Sequence, residues 1–264
     1  MKKTLLTLAM LLTCMLGAQA QTTLTLDDSK DMVSKINDAA EKGGTYTIRF
    51  NARPVNKGNW NVLALPFDVK PGVLSKAFGY AAVDILVTAN PEPGTMHFAN
   101  TTSGIIPAGT PIIFKPGDDK ATFDEVTFFT GITVKQVEAQ MEQSDNNGNR
   151  IIAVFDKTTF YGGSCWYMSQ GMWKCASKFT EEKPVTLKPF RAYIDLSGSK
   201  SKVAPRIVID EPDGTTTVID ATTFNKGEFG TQDDGWYSVT GMRLSGEPTA
   251  KGVYIHQARK VIIK

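Results

Sequence analysis

Two periods of apolar residues follow one another along the chain. Before residue 44, apolar side chains recur at the spacing of one helix face, at Met32, Val33, Ile36, Ala39 and Ala40. This spacing predicts a helix that Asp27 and Asp28 cap, because acidic side chains suit the positive end of the helix dipole. Gly43-Gly44 is expected to end the helix.

From residue 45 onwards the period changes to two, which is typical of strands with one buried face. A short helical turn is also expected within residues 70–79. Many short strands separated by Gly, Pro and Asn turns predict a mainly β chain: a β-sandwich with one short N-terminal helix and a small C-terminal β-module. The predicted strands cover residues 45–50, 59–67, 83–88, 95–99, 110–115, 122–129, 151–156, 164–168, 172–176, 191–196 and 206–210.

The first twenty residues have the three parts of a secretory signal peptide. Two lysines precede an apolar run over residues 5–16, and Ala18 and Ala20 then provide the small side chains that signal peptidase requires. The run is shorter than the roughly 20 residues that span a bilayer. We expect cleavage after Ala20 and export of the chain. The alternative is lipoprotein processing at Cys14, which lies inside the apolar run.

Composition divides the rest of the chain. Residues 21–210 hold the helix and the predicted sandwich, residues 211–234 are a predicted linker rich in Asp, Gly and Thr, and residues 235–264 form the small module. The formal net charge is +2 with no basic cluster, so a nucleic-acid partner is not expected. No second long apolar segment follows the signal, so no transmembrane span is predicted.

Three short β-type runs occupy the C-terminal module, at residues 236–244, 251–255 and 260–264. They resemble the C-terminal modules of proteins secreted by Bacteroidota through type IX secretion, with the pattern "Y-x-L-x-G-R-R-L … K-G-V-Y-I-V-N-G-K-K-V-V-I-K". The resemblance implies a sorting or anchoring module that the secretion machinery recognises. It implies a location at the outer-membrane surface or outside the cell, or in the periplasm if the module is not a sorting signal. Gln257-Ala258 replaces Asn-Gly, which favours a longer hairpin connection.

The middle of the chain carries a second resemblance. Residues 58–69 look like the "G-x-W-N-T-L-x-L-P-F" run of β-rich modules in Bacteroidota surface proteins. Residues 77–79, 106–116 and 190–194 follow in the same order as the "F-G", "I-P-A-G-T-P-Y-L-I-K-P" and "F-R-A-Y-F" elements of that pattern. The resemblance implies a β-sandwich module with no established catalytic activity.

Residues 162–166 match four of the five positions of the "C-G-S-C-W" motif around a papain-type nucleophile. That chemistry needs a histidine partner, and His97 precedes the cysteine whereas His256 lies in the terminal module. We therefore predict a disulfide-bonded hairpin with a three-residue loop centred on Gln170. This register places Cys165 opposite Cys175. It also places Tyr167 opposite Trp173 on the same face, and Trp166 opposite Lys174 on the other.

No cofactor, metal site or catalytic residue is predicted. The segment from Asp145 to Asn149 resembles a calcium loop, but Arg150 stands where the loop requires glycine, so a plain turn is expected. Two histidines without helically spaced carboxylates do not make a zinc site, and no phosphate-binding loop or nucleophile elbow is present.

Aromatic side chains provide the remaining candidate chemistry. Trp166, Tyr167 and Trp173 could form a platform for sugar rings, although a cross-strand hydrophobic cluster is the simpler interpretation. The sequence thus predicts an exported, surface-associated structural or interaction protein without enzymatic activity, whose partner is a cell-surface glycan or protein. A glycan-binding module is the alternative, and a glycoside hydrolase or another hydrolase comes third.

Overall fold

A computed structural model gives the structure of the chain. It describes residues 22–51, 55, 59–78, 82–89, 94–116, 129–169, 171–200, 206–211, 214–220, 236–238, 244, 246–256 and 259–263. The chain is mainly β, as predicted, and divides into two compact units, Met1–Thr222 and Thr223–Lys264. The signal-peptide prediction, with Ala18, Ala20 and the alternative site Cys14, lies outside the described residues.

Two helices and nineteen strands make up the described part of the chain. The helices are α1 (Val33–Lys42) and α2 (Pro71–Phe78), and α2 confirms the helical turn expected within residues 70–79. The strands are β1 (Thr22–Asp27), β2 (Tyr46–Asn51), β3 (Asn61–Leu63), β4 (Ala82–Leu86), β5 (Thr95–Asn100), β6 (Ile112–Lys115), β7 (Phe129–Ile132), β8 (Gln140–Ser144), β9 (Arg150–Val154), β10 (Thr158–Phe160), β11 (Gly162–Ser169), β12 (Met172–Ala176), β13 (Val185–Leu187), β14 (Arg191–Asp195), β15 (Arg206–Asp210), β16 (Thr216–Asp220), β17 (Trp236–Ser238), β18 (Gly252–His256) and β19 (Arg259–Ile263).

Two large sheets form the sandwich of the first unit. One has the strand order β16-β15-β5-β4-β6-β3, and the other has the order β12-β11-β14-β9-β8. Because side chains alternate along a strand, one set of buried side chains in each sheet lies on the side that faces the other sheet, which we call the interior side. In the six-stranded sheet these are Met96, Phe98, Ile113, Ile207 and Ile209, and in the five-stranded sheet they are Ile151, Ala153, Trp166, Trp173, Ala192 and Ile194.

Smaller elements cover the outer sides of the two large sheets. The three-stranded sheet β1-β2-β7 and helix α1 belong to one hydrophobic cluster with the six-stranded sheet, through Leu26, Ile36 and Phe114. Strands β10 and β13 pair with each other and pack Phe160 and Leu187 against the outer side of the five-stranded sheet. The central strands of both sandwich sheets are therefore covered on both faces.

Helix α1 confirms the predicted helix, but not its cap. Asp156 accepts hydrogen bonds at Oδ1 from the backbone N–H groups of Met32 and Val33, at 2.7 and 2.9 Å. Asp27 instead accepts hydrogen bonds from Ser29 in a turn, and Asp28 pairs with Arg191. The predicted caps were wrong because the acceptor for these first amides comes from a distant part of the chain. Gly43 ends the helix with φ of 66°, as predicted.

The predicted linker begins too early. Strand β16 lies inside residues 211–234 and pairs antiparallel with β15, with Val208 opposite Val218. The run of β-branched residues from Thr215 to Ile219 was the missed signal. Residues 221–235 lie outside the described part of the chain, so the remainder of the linker stays a prediction.

The second unit contains a three-stranded antiparallel sheet in the order β17-β18-β19. His256 lies opposite Arg259, so only residues 257 and 258 connect β18 to β19, and the longer connection that we expected is wrong. Val253 lies directly opposite Ile262, and their side chains are 37% and 61% exposed. Within the described residues, no helix is both long and apolar enough to cross a membrane.

Candidate functional site

The hairpin formed by β11 and β12 has a register one residue away from the predicted one. Trp166 lies opposite Cys175, Tyr167 opposite Lys174 and Met168 opposite Trp173. Residues 170 and 171 form a two-residue connection, and Gly171 has φ of 76°, which suits a tight hairpin turn. The predicted loop was one residue too long, and a bulge between Gly162 and Trp166 offsets the rest of β11.

The shifted register separates the two cysteines. Cys165 alternates with Trp166, so it lies on the opposite face from Cys175, and both thiols are free. The predicted disulfide is therefore absent from this structure. Cys165 packs in the cluster with Phe160. The Cys175 thiol donates a hydrogen bond to the carbonyl oxygen of Gly163 at 3.3 Å.

Burial raises the pKa of the Cys165 thiol, and the charge of Asp195 raises it further. The thiol is thus held in its neutral form, which is a weak nucleophile. His97 bonds elsewhere, because its Nε2 lies 2.9 Å from Asp210 Oδ1. The resemblance of residues 162–166 to a papain-type motif therefore comes without the charge environment that activates a cysteine.

The candidate aromatic platform is part of the core. Trp166 and Trp173 are each 1% exposed on the interior side of the five-stranded sheet, so neither indole offers a face to a sugar. Tyr167 lies on the other side of the sheet, between the rings of Phe160 and Phe179. The glycan-binding assignment of Trp166 and Trp173 is therefore wrong, because the hairpin places both inside the sandwich, and Tyr167 is half-buried between two rings.

The turn between β8 and β9 holds a buried carboxylate. Asp145 Oδ1 accepts from the backbone N–H groups of Asn147 and Asn149, and its Oδ2 accepts from the Asn149 side chain at 2.8 Å. Gly148 completes the turn with φ of 78°. The carboxylate is fully engaged with N–H donors, as in the plain turn that we predicted.

Sequence reasoning missed a polar cluster at one end of the six-stranded sheet. Trp60 directly precedes β3 and Glu211 directly follows β15, and four strand spacings separate these strands in the sheet. In a flat sheet that distance would be about 19 Å. The indole Nε1 of Trp60 nevertheless donates to Glu211 Oε1 at 3.4 Å. The sheet must therefore curl at this end, so that side chains next to β3 and β15 come into contact.

Four side chains form the bridge across the curled end, which we define as Trp60, Lys115, Glu211 and Thr217. Lys115 Nζ lies 3.1 Å from Glu211 Oε2 and 5.6 Å from the centre of the Trp60 ring. The Thr217 hydroxyl donates to the other oxygen of Glu211. Although partial burial acts to raise it, the hydrogen bonds from Thr217 and Lys115 lower the pKa of Glu211 overall.

A second carboxyl group lies inside the same end of the sandwich. Asp84, on the interior side of β4, is 0% exposed, and its Oδ1 accepts from Asn100 Nδ2 at 3.1 Å. Its Oδ2 has no hydrogen-bond partner within the described structure. Burial raises the pKa of Asp84 to about 7 against the opposing hydrogen bond from Asn100, and Asp210 and Glu211 add to the rise.

The curled end therefore pairs two carboxyl groups with opposite pKa shifts. Such a split is the arrangement that acid–base enzymes use, but here Asp84 has no exposed surface from which to meet a substrate. No group of three His, Cys, Asp or Glu residues in the described ranges is placed to hold a metal ion. What the geometry does support is a structural closure of the sheet.

No protein family, no curated protein and no solved structure shows a significant match to this chain.

Proposed function

We propose that the protein is an exported, surface-associated structural or interaction protein, in which the large unit is a scaffold and the small module is the docking element. The observation that carries this proposal is that three carboxylates of the large unit form structural hydrogen bonds within that unit. Glu211 closes the curled end, Asp145 fixes a turn, and Asp156 holds the start of α1. Each of these carboxylates bonds to groups of the same unit, as suits a rigid scaffold.

The small module supports the interaction part of the proposal. Val253 and Ile262 form an exposed apolar pair across β18 and β19, and exposed apolar groups are a feature of docking surfaces. The sequence resemblance of this module to type IX secretion C-terminal modules makes sorting or anchoring its proposed role. The outer-membrane surface or the extracellular space is the proposed location.

The proposed role of the large unit is non-enzymatic. In the candidate site, Asp84 and the Cys165 thiol are buried, and Glu211 is engaged with donors. Assays with broad glycosidase, esterase and protease substrates should give no turnover. A turnover that the Glu211→Gln substitution abolishes would contradict this part of the proposal.

Cell fractionation with surface proteolysis tests the docking role. In the native host, a chain that ends at Thr222 and the full-length Val253→Ser/Ile262→Ser variant should both accumulate in the periplasm. The matched control is Val218→Ser, which removes an exposed apolar side chain from the large unit and should leave surface display unchanged. Normal display of both the truncated chain and the double variant would exclude the proposed role of the module.

A further inference from the structure

Asp84 is the one carboxyl group in the described structure that is completely buried and has an oxygen without a partner. A buried anion needs several donors or a counter-charge, because transfer of an unpaired charge from water costs far more than one hydrogen bond returns. Asn100 supplies one donor. A neutral carboxyl can remain in this position, whereas a carboxylate is poorly accommodated.

The charged groups around Asp84 give little compensation. Asp210 and Glu211, on and directly after β15, are like-charged and oppose its ionisation. Lys115 is already paired with Glu211, and the His97 ring is bonded to Asp210. The five-stranded sheet faces Asp84 across the interior. Among its described strand residues, Cys175 is the titratable side chain on that face, and a thiol supplies no positive charge.

We propose that Asp84 is a pH-sensitive latch: the closed form of the curled end accommodates it as a neutral carboxyl, and loss of its proton loosens that end. The link to the bridge follows from position. Asp84 lies beside Asn100 in the strand pairing, and Glu211 follows the strand that pairs with β5 on its other side. A carboxylate at Asp84 would add a third negative charge beside Asp210 and Glu211.

The direction of the pH dependence follows from linkage. The pKa of Asp84 is raised from 3.8 to about 7 on folding. The contribution of this group to stability is therefore complete below about pH 4 and is lost as the pH rises towards 7. Most carboxylates act in the opposite sense, because folding lowers their pKa values, so this component is distinctive.

Urea unfolding of the full chain between pH 4.5 and pH 8.5 tests the latch, with Asp84→Asn as the variant that cannot ionise. The ratio of the unfolding constant of the wild type to that of Asp84→Asn should rise about tenfold per pH unit up to about pH 7, and then level off. Asp38→Asn, an exposed substitution on α1, is the matched control and should run parallel to the wild type. If Asp84→Asn also runs parallel to the wild type, the proposal is wrong.

Two measurements on the wild type do not depend on the folding of a variant. The carboxyl carbon resonance of Asp84 should titrate with a midpoint near 7, and a midpoint below about 5 would contradict the proposal. Hydrogen exchange, corrected for its intrinsic pH dependence, should be faster at pH 8 than at pH 6 in β3 and β15. Equal corrected rates at the two pH values would show that ionisation does not loosen the curled end.

Discussion

Two buried aspartates in the large unit have opposite surroundings. Asp145 is 6% exposed and accepts three N–H groups, from the backbones of Asn147 and Asn149 and from the Asn149 side chain. Asp84 is 0% exposed and accepts one, from Asn100. The number of donors, rather than the degree of burial, therefore decides whether a carboxylate can remain inside this sandwich.

The origin of the donors also differs. The turn at Asp145 supplies all three from within five residues, so the carboxylate and its donors form together. Asp84 depends on the Asn100 side chain from the next strand, β5, and lies at the end of the sheet that the bridge closes. The Asp145 turn therefore supplies its own donors, whereas the Asp84 site is left incomplete.

Removal of the Asp145 carboxylate should have the largest effect. Asp145→Ala leaves three N–H groups without their acceptor in a buried turn, and the free energy of unfolding should fall by about 3 kcal/mol. Urea unfolding at pH 6 measures the loss. Asp145→Asn keeps one acceptor oxygen and should lose less than half as much. A loss below about 1 kcal/mol for Asp145→Ala would remove the distinction between the two aspartates.

The shape of the Asp145 turn gives a second, smaller effect. A Cβ at Gly148 would lie 2.2 Å from the carbonyl oxygen of Gly198, and φ there is 78°. Gly148→Ala should therefore lower the free energy of unfolding by about 2 kcal/mol. Gly104→Ala is the matched control, because φ is 84° and nothing lies within 4 Å of the added atom. The control should lose about 1 kcal/mol, and equal losses would show that contact with Gly198 is unimportant.

The bridge at the curled end should give the smallest effect. Lys115→Met keeps the apolar stem over Trp60 but removes the charge, so it should lower the free energy of unfolding by about 1 kcal/mol at low salt. Because folding lowers the pKa of Glu211 from its ordinary value of 4.5, this contribution should be complete at neutral pH and be lost as the pH falls below 4.5 and through the lowered pKa. Lys70→Met, at an exposed lysine, should change neither quantity. A loss that persists at pH 3 would assign the effect to packing instead of charge.

The alternation of apolar residues was enough to predict the fold class and most strands of the large unit. It did not identify β1, β8, β10 or β13. Strands β10 and β13 have only three residues, β8 has Met141 as its one apolar residue, and the alternation in β1 was overlooked. The predicted register of the β11–β12 hairpin was wrong for a different reason. A bulge in β11 and the pairing of β11 with β14 both contribute to its position, and neither is visible in the spacing of Cys165 and Cys175.

The candidate site was less predictable than the fold. Trp60 and Glu211 are 151 positions apart, and only the curl of the sheet brings them together. Asp84 could have been noticed in the sequence, because it lies on the same face of its strand as the apolar Leu86, and both faces of that strand are covered. An aspartate in such a strand points to an unusual group, but its neighbours Asp210 and Glu211 could not be assigned without the strand order.

The cap of helix α1 has a consequence for the order in which the chain can fold. Met32 and Asp156 are 124 positions apart, and an isolated ten-residue helix is marginal in water. During synthesis the N-terminal segment emerges first and has no access to this acceptor until residue 156 follows. The start of helix α1 is therefore completed only after more than half of the chain has been made.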